Sequence, residues 1–326
     1  MKAILCQSFD GLAALTLGTL PEPEPGAGEL VIAVEAAAVS FMDALMVSGG
    51  YQMRPELPFA PGTDAAGAVC AIGPDVTGFA LGDRVVGSGW TGAFAQKMKL
   101  SAARTAKIPA IVDASTAATL PYAYVTAHHA LVDRAALKAG ETVLVTGATG
   151  GVGLAALDVA RMGGASVIAA VSGPTKGATA RDYGASHIID IAAQDVRARI
   201  NEITDRRGLD VCFEVIGGDL FLTLARAMAP GGRLMPIGFA SGEIPALPMN
   251  LPLLKAYSVV GVFMGAWADA NPKASQRTLE TVIEHVAAGR LHPRVHKVMP
   301  LEDAAAALAL LDARQVEGRI VLSVDG

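Results

Sequence analysis

The sequence predicts an α/β protein with two domains, an irregular β-barrel of short strands and a doubly wound parallel sheet. Its 326 residues correspond to about two domains of the usual size, ~150 residues each. Up to residue 120, short apolar runs are separated by closely spaced Pro and Gly, which is typical of short strands and turns. From residue 142 onwards, short apolar runs alternate with longer helical patterns, which predicts a parallel sheet covered on both faces.

The individual elements follow from these two patterns. The predicted barrel strands lie at residues 30–34, 65–72 and 84–86, and the punctuating turns at 21–26 and 55–62. The predicted strands of the parallel sheet are 142–146, 166–171, 210–215, 233–237 and 258–262, with a close-packing helix at 154–162. The chain then continues with a helix at 275–288, a strand at 295–298, a helix at 301–311 and a strand at 318–324.

Composition excludes several classes of protein. Hydrophobic residues make up 52% of the chain and charged residues 17%, so a disordered chain is excluded. The net charge of −5 argues against nucleic-acid binding, which normally requires an excess of basic residues. No apolar run approaches the ~20 residues of a membrane span. The apolar run at residues 3–6 is too short for a signal peptide, so we expect a soluble cytoplasmic protein.

The three cysteines, Cys6, Cys70 and Cys212, lie far apart and show no CxxC spacing. They predict neither a disulfide framework nor a four-thiolate zinc site, and buried free thiols are the simpler interpretation.

The strongest chemical signal is the Gly-rich turn that follows the strand at 142–146. In the GxGxxG pattern of dinucleotide-binding turns, Ala148, Gly150 and Gly153 hold the three glycine positions, between a strand and a helix. Glycines there permit a tight turn and close approach of the backbone to a pyrophosphate, which the N-terminus of the following helix attracts. A purely structural turn is the alternative. The predicted phosphate contacts are Ala148, Thr149, Gly150, Gly151, Val152 and Gly153.

The end of the second strand indicates which dinucleotide binds. An NAD site usually carries Asp or Glu there to hold the ribose 2′-hydroxyl, but the strand at 166–171 ends without an acid. Ser172 and Lys176 follow it, and a hydroxyl and an ammonium suit a 2′-phosphate. The sequence therefore predicts NADPH as the cofactor. The alternative is that Lys176 is an exposed lysine at the start of a helix.

These residues resemble a known family. The chain is similar to zinc-independent members of the medium-chain dehydrogenase/reductase superfamily, close to the NADPH:quinone oxidoreductases of the zeta-crystallin type. The resemblance covers nearly the whole chain. Its ordered matches are PGTDAAG at 61–67, GDRV at 82–85, residues 120–129, the turn at 148–153, Lys176, the Gly-Ala pair at 184–185, PGGR at 230–233 and GRIVL at 318–322.

The resemblance implies a GroES-like substrate domain from residues 1–121 with 266–326, and a Rossmann domain from 122–265. It implies a pocket between the domains, lined by Ser40, Asp43, Tyr51, Thr63 and the turn at 122–126. Family members often carry Asn where Ser40 stands. The cofactor contacts that it implies are Thr126, Ile216, Gly238 and Phe263.

The resemblance also argues against a metal site. Zinc-binding relatives hold the metal through a Cys in the 40–43 region and a His-Glu pair after the Pro-Gly motif. This chain has Ser40 and Asp43 in the first region and Thr63-Asp64 in the second, whereas catalytic zinc needs three converging ligands. We therefore expect hydride transfer from NADPH to a quinone or an α,β-unsaturated carbonyl, with hydrogen-bond donors rather than a Lewis acid.

Two other functions stay open. An enoyl-thioester reductase would use the same hydride geometry on an acyl-CoA or carrier-bound chain, and a dinucleotide-binding protein with little catalysis would need only the turn. Among the candidate residues, Tyr51 could merely pack a loop, Asp43 could order its loop through local hydrogen bonds, and Thr126 could be a helix N-cap.

The segment at 258–263 is predicted to be the edge strand of the sheet and to pair with its copy in a homodimer. It is apolar and β-branched and carries no Pro, Lys or Glu. An uncovered edge of this kind would leave backbone donors and acceptors unpaired and would promote aggregation. The alternative is that the C-terminal segment covers this edge within one chain.

Overall fold

The computed structural model describes residues 1–324, which form two compact units. The first unit comprises Met1–Val125, Ala268–Gly289 and the chain from Pro293 onwards; the second comprises Thr126–Trp267 with Arg290–His292. The strands in chain order are β1 (Lys2–Cys6), β2 (Leu15–Thr19), β3 (Glu29–Ala38), β4 (Asp64–Ile72), β5 (Arg84–Ser88), β6 (Lys97–Ser101), β7 (Thr105–Lys107), β8 (Thr142–Thr146), β9 (Ser166–Val171), β10 (His187–Asp190), β11 (Leu209–Glu214), β12 (Met228–Pro236), β13 (Ser258–Val259), β14 (Val295–Pro300) and β15 (Arg319–Ser323).

The α-helices in chain order are α1 (Phe41–Val47), α2 (Ala114–Ala118), α3 (Val125–His128), α4 (Gly151–Met162), α5 (Pro174–Asp182), α6 (Val196–Ile203), α7 (Gly218–Arg226), α8 (Asn250–Lys255), α9 (Met264–Ala270), α10 (Pro272–Ala287) and α11 (Ala304–Asp312). Wider π-helical turns flank α3 at Leu120–Tyr124 and His129–Arg134. Among residues 1–324 we find no helix with the length and apolar character that a membrane span requires.

The first unit is built on a mixed sheet in the order β14-β15-β3-β4-β5-β7, with β6 also paired to β3. The long strand β3 and strand β4 approach so closely that a Cβ on Gly67 would lie 1.9 Å from the carbonyl oxygen of Ala33, so only glycine fits there. The register places Ala38 opposite both Asp64 and Val321. The end of β3, the start of β4 and the start of β15 therefore meet at one place, where the buried Asp64 and Arg319 lie close together.

The second unit is a six-stranded parallel sheet in the order β10-β9-β8-β11-β12-β13, as the sequence predicts for a doubly wound fold. All five residues of β8 are buried, because helices cover both faces. Successive strands run outwards from β8 to β10 on one side and from β11 to β13 on the other. The strand order therefore reverses between β8 and β11, which is where open α/β sheets bind their ligands.

No strand was predicted at β1, β2, β6, β7 or β10, and the bounds of β12 and β13 differ from the prediction. Strand β10 was not predicted, because it has only four residues, begins with an exposed His187 and lacks a continuous apolar run. Strand β13 spans Ser258–Val259 rather than 258–262. The neighbouring β12 ends at Pro236, which has no N–H to donate to the next residue of β13, so the ladder stops there.

Candidate cofactor and active site

The turn between β8 and α4 has the geometry of a phosphate-binding turn. Gly147 has a positive φ of 55°, and a Cβ on Gly153 would lie 2.2 Å from the carbonyl oxygen of Gly147. Both positions therefore require glycine. Helix α4 begins after Gly150 without a side-chain cap, so the N–H groups of its first turn have neither an intrahelical partner nor a capping side chain. Such a helix end binds anions.

The loop after β9 lies next to this turn in the sheet. Ser172 is exposed, Gly173 has a φ of 90°, and Lys176 lies in the first turn of α5, which is also uncapped. The structure adds an acid that the sequence analysis did not consider. Asp190, at the end of β10, accepts a hydrogen bond of 3.2 Å from the N–H of Gly173 and so fixes this loop.

The predicted contacts Ile216, Gly238 and Phe263 follow β11, β12 and β13 respectively, at the carboxyl edge of the sheet. The carbonyl oxygen of Ile216 accepts a hydrogen bond of 2.8 Å from the N–H of Ser241, which joins the loops after β11 and β12. Phe263 is exposed. The structure therefore brings the three residues to the edge that also carries the phosphate turn.

Glu214, the last residue of β11, is fully buried at this edge. Its Oε1 accepts hydrogen bonds from the Thr146 hydroxyl (3.1 Å) and the N–H of Ile216 (2.8 Å), and both carboxylate oxygens accept from the N–H of Gly217 (3.0 Å). Burial raises the pKa of the Glu214 carboxyl, and the Gly217 and Ile216 donors act against that rise.

Thr126 lies within α3, so it is not a helix N-cap, and that alternative is wrong. Its side chain is buried, and its hydroxyl has no hydrogen-bond partner among the described residues. A buried hydroxyl without a partner is uncommon in native proteins, and a bound cofactor would satisfy it. This fits the cofactor contact that the resemblance implies for Thr126, which stays a prediction.

In the first unit, Ser40 and Asp43 form a capping box at the start of α1. The Ser40 hydroxyl accepts a hydrogen bond from the Asp43 N–H (3.3 Å), and Asp43 Oδ2 accepts from both the N–H and the hydroxyl of Ser40 (2.7 Å each). This arrangement fixes the chain entering the helix. Asp43 thus orders its loop locally, which was the alternative to a catalytic role.

A second buried acid, Asp64, begins β4 beside this helix entry. Its Oδ2 accepts a hydrogen bond from the N–H of Tyr122 (3.0 Å) and lies 3.5 Å from Nη2 of Arg319. The guanidinium carbon of Arg319 also lies 5.5 Å from the centroid of the Tyr122 ring. Thr63, next to Asp64, has a buried hydroxyl that interacts with the Asp64 carboxyl and acts to lower its pKa.

The two acids and the arginine influence one another's ionisation. Burial raises the pKa of Asp43 to about 7, with Arg319 acting to lower it and Asp64 to raise it further. Burial also raises the pKa of Asp64, against the stabilising charge of Arg319. One guanidinium thus faces two buried carboxyls, so the cluster favours holding one proton.

Tyr51 lies on the loop after α1 and is half-buried, with its ring centroid 6.5 Å from that of Trp90. Its hydroxyl forms no hydrogen bond with any residue from 1 to 324, so it remains able to donate one to a ligand. Burial raises the pKa of Tyr51, so the hydroxyl stays protonated at neutral pH.

A metal centre has no support from side chains in the described part of the chain, where no three His, Cys, Asp or Glu residues are arranged to hold an ion. Cys6 and Cys212 are buried free thiols, and Cys70 is an exposed one.

The parallel sheet with its uncapped glycine turn, joined in one chain to a strand-rich unit, defines a two-domain dehydrogenase/reductase of the dinucleotide-binding class. Comparison with known proteins agrees. Residues 26–110 match the family described as alcohol dehydrogenase GroES-like domain, and residues 151–286 match the family described as zinc-binding dehydrogenase.

The chain is 36% identical to a quinone oxidoreductase-like protein 2 homolog from Nematostella vectensis, over 99% of this chain and 88% of that protein. It is 31% identical to a mycocerosic acid synthase-like polyketide synthase of Mycobacterium tuberculosis, over 96% of this chain but 15% of the synthase. The solved structure of Escherichia coli quinone oxidoreductase complexed with NADPH superposes with a TM-score of 0.92 at 26% identity, covering 99% of this chain and 100% of the other.

The chain therefore belongs to the quinone oxidoreductase family of the medium-chain dehydrogenase/reductase superfamily, with a GroES-like and a Rossmann domain. The roles of the individual site residues stay predictions. Sequence reasoning did not assign roles to Glu214, Asp190 or Arg319. The acids at the ends of two strands, Asp190 and Glu214, were the available signal, because polar residues at the carboxyl edge of a parallel sheet lie near its ligands.

Proposed function

We propose that this protein is an NADPH-dependent reductase that transfers hydride to a quinone or to an α,β-unsaturated carbonyl compound. The observation that carries the proposal is the uncapped turn from Gly147 to Gly153, followed in the neighbouring loop by Ser172 and Lys176 where an NAD site would carry an acid. Bound NADPH supplies a hydride. The turn amides would hold its pyrophosphate and Lys176 its 2′-phosphate.

The first unit carries hydroxyl groups that could stabilise the hydride acceptor during the reaction. Hydride addition to an enone or a quinone places negative charge on the acceptor oxygen, which a nearby hydroxyl can stabilise. The Tyr51 hydroxyl is the first candidate, because it has no hydrogen-bond partner among the described residues, and the buried Thr63 hydroxyl beside Asp64 is the second. The Ser40–Asp43 capping box would keep the neighbouring loop in place.

The test is NADPH oxidation by the purified protein with quinones, enones and enoyl-CoA thioesters as acceptors. We expect turnover with quinones or enones, and we expect it to survive dialysis against EDTA. Turnover confined to enoyl-CoA would support the second candidate, an enoyl-thioester reductase, which the likeness to part of a polyketide synthase favours. NADPH binding without turnover on any acceptor would instead indicate a binding protein.

Replacing Tyr51 with phenylalanine is expected to lower kcat/KM for the best acceptor by about tenfold, because one hydrogen bond to a developing charge is lost. The Kd for NADPH, measured by fluorescence, should not change. Trp90→Phe, which keeps an aromatic neighbour and leaves the hydroxyl in place, is the matched control. Unchanged turnover of Tyr51→Phe on every acceptor would assign Tyr51 to loop packing.

The protein is further proposed to be a homodimer that pairs through β13. This strand lies at the end of the sheet order, and no described strand pairs with its outer edge; the C-terminal β15 pairs with β14 and β3 instead. Large apolar side chains are exposed in the same part of the chain: Phe239, Ile244, Met249, Leu253, Leu254, Val259 and Phe263. A second copy would cover both the open edge and this apolar surface.

The hydrogen bonding of β13 selects the variant that tests the dimer. Val260 donates its N–H to Leu234 within the chain (2.9 Å), so the N–H groups of Val259 and Gly261 point outwards. Val259→Pro removes an outward donor and is expected to give a monomer by analytical ultracentrifugation at micromolar concentration. Val259→Thr, which keeps that donor, should stay dimeric. A monomeric unmodified protein would refute the interface, and a dimer of Val259→Pro would locate it elsewhere.

A further inference from the structure

Glu214 occupies the one place in the sheet where the strand order reverses. It ends β11, and its hydrogen-bond partner Thr146 ends β8, the strand on the other side of the reversal. Dinucleotides bind across this point, with one mononucleotide half on each side. A carboxylate that joins the two strand ends therefore lies beneath the line that a bound dinucleotide would follow.

The contacts of Glu214 hold three backbone segments together. Its carboxylate accepts the N–H groups of Ile216 and Gly217, which bends the chain back over the end of β11. The Thr146 hydroxyl donates to Glu214 and accepts the N–H of Val215 (2.8 Å). The residue after Thr146 is Gly147, where the phosphate turn begins, and a Cβ there would lie 2.7 Å from a methyl group of Val215. A shift of the loop after β11 would therefore displace the phosphate turn.

Packing alone does not explain why the polar side chain of Glu214 is buried. Glu214 is fully buried, and among the described residues no lysine, arginine or histidine forms an ion pair with it. Both of its oxygens accept hydrogen bonds from the N–H of Gly217, and Oε1 also accepts from Ile216 and Thr146. A buried carboxyl satisfied only by a hydroxyl and two amides is costly, and such groups mark sites where geometry is fixed for function.

We propose that Glu214 is a positioning residue that holds the loop after β11 and the phosphate turn in register, and so sets the site for the nicotinamide half of the cofactor. The adenosine half lies on the β9–β10 side, where Asp190 fixes the loop of Ser172 and Lys176 independently. Glu214 thus positions the nicotinamide half of the site, and Asp190 fixes the loop at the adenosine half. This inference depends on the proposed NADPH-binding function.

The test compares the binding of whole and partial ligands to the full-length protein by calorimetry or fluorescence. The variant is Glu214→Gln, which keeps the size of the side chain but turns an N–H group towards the amides of Ile216 or Gly217. We expect the Kd for NADPH to rise about tenfold. This is the size of the loss in affinity that is typical when a residue supporting a direct ligand contact is replaced. The Kd for 2′-AMP, which carries only the adenosine half, should be unchanged.

Two further variants distinguish positioning from general destabilisation. Thr146→Val removes the hydroxyl that links Glu214 to Val215 and should weaken NADPH binding in the same selective way, whereas Thr146→Ser restores the hydroxyl and should restore most of the affinity. Because Glu214 and Thr146 act as one unit, the double variant should lose less than the two single losses combined. Lys176→Ala, by contrast, should weaken the binding of both NADPH and 2′-AMP, because both ligands carry the 2′-phosphate.

The outcomes separate the two hypotheses. An unmodified protein that does not bind NADPH would refute the proposed function itself. An unmodified protein that binds NADPH, with Glu214→Gln binding it equally well, would refute the positioning role alone. Equal weakening of NADPH and 2′-AMP in Glu214→Gln would also refute it, because it would indicate a global rather than a local effect. If Glu214→Gln does not fold, the Kd values of Thr146→Val and Thr146→Ser for NADPH and 2′-AMP distinguish the same outcomes.

Discussion

Lys176→Ala is expected to raise the KM for NADPH by about tenfold or more and to leave the KM for NADH unchanged. A hydrogen bond between charged groups contributes about 1.5–3 kcal/mol, and 1.4 kcal/mol corresponds to a factor of ten in affinity. Lys176 lies in the first turn of the uncapped helix α5, directly after the loop that Asp190 fixes. The ammonium of Lys176 and the end of the helix would both act on the 2′-phosphate, which NADH lacks.

Two control variants show whether the effect is specific. Lys176→Arg retains the positive charge and is expected to keep most of the NADPH affinity. Lys273→Ala makes the same change of charge at an exposed position in α10 and should affect neither cofactor. The cofactor preference is wrong if the unmodified protein has equal affinity for NADPH and NADH. It is also wrong if Lys176→Ala weakens both cofactors alike.

The parts of the fold that the sequence predicted well are those with a strong local pattern. Strands β8 and β9 match the predicted bounds of 142–146 and 166–171, because strands buried on both faces need continuous apolar runs. The phosphate turn could be predicted for a related reason, since its glycines follow from the backbone geometry of a single segment. The short β10 carries no such pattern.

The contacts missing from the prediction join residues that are distant in the sequence. Glu214 and Thr146 are 68 positions apart, and Asp64 and Arg319 are 255 apart. Their pairing depends on the order of strands in the two sheets, which no local spacing records. Arg319 lies in the GRIVL motif at 318–322, but only the register of β15 against β3 brings it to Asp64. Local patterns therefore indicated the segments of the candidate site, whereas the structure was needed to pair their side chains.

The pairing of Asp64 with Arg319 bears directly on the neighbouring Asp43. Asp43 is fully buried, and its Oδ1 has no hydrogen-bond partner among the described residues, while its Oδ2 accepts twice from Ser40. Arg319 is already engaged by Asp64, so its charge offsets only part of the cost of ionising Asp43. Burial accordingly raises the pKa of Asp43 to about 7. In the unfolded chain the pKa of an aspartate is about 3.9.

This shift makes stability depend on pH in a definite direction. Between pH 4 and pH 7 the folded protein keeps a proton on Asp43 that the unfolded chain has released, so the free energy of unfolding falls as the pH rises. The contribution is fully present below about pH 4 and is lost by about pH 7, with a slope of about 1.4 kcal/mol per pH unit at most. Asp64 and Glu214, whose pKa values are also raised, add to the total in the same direction.

Asp43→Asn isolates the contribution of Asp43, because asparagine stays neutral and its carbonyl oxygen can still accept the bonds from Ser40. The free energy of unfolding of this variant, relative to the unmodified protein, is expected to rise between pH 4 and pH 7 by about 4 kcal/mol in total and then to stay constant. Urea denaturation across that range measures the difference, with the exposed Asp75→Asn as the control. Infrared spectroscopy gives a direct check, since the protonated-carboxyl absorption at pH 6 should lose the intensity of one carboxyl group in Asp43→Asn. A pH-independent stability difference, together with an unchanged infrared band, would mean that Asp43 is ionised and that Arg319 serves both carboxylates.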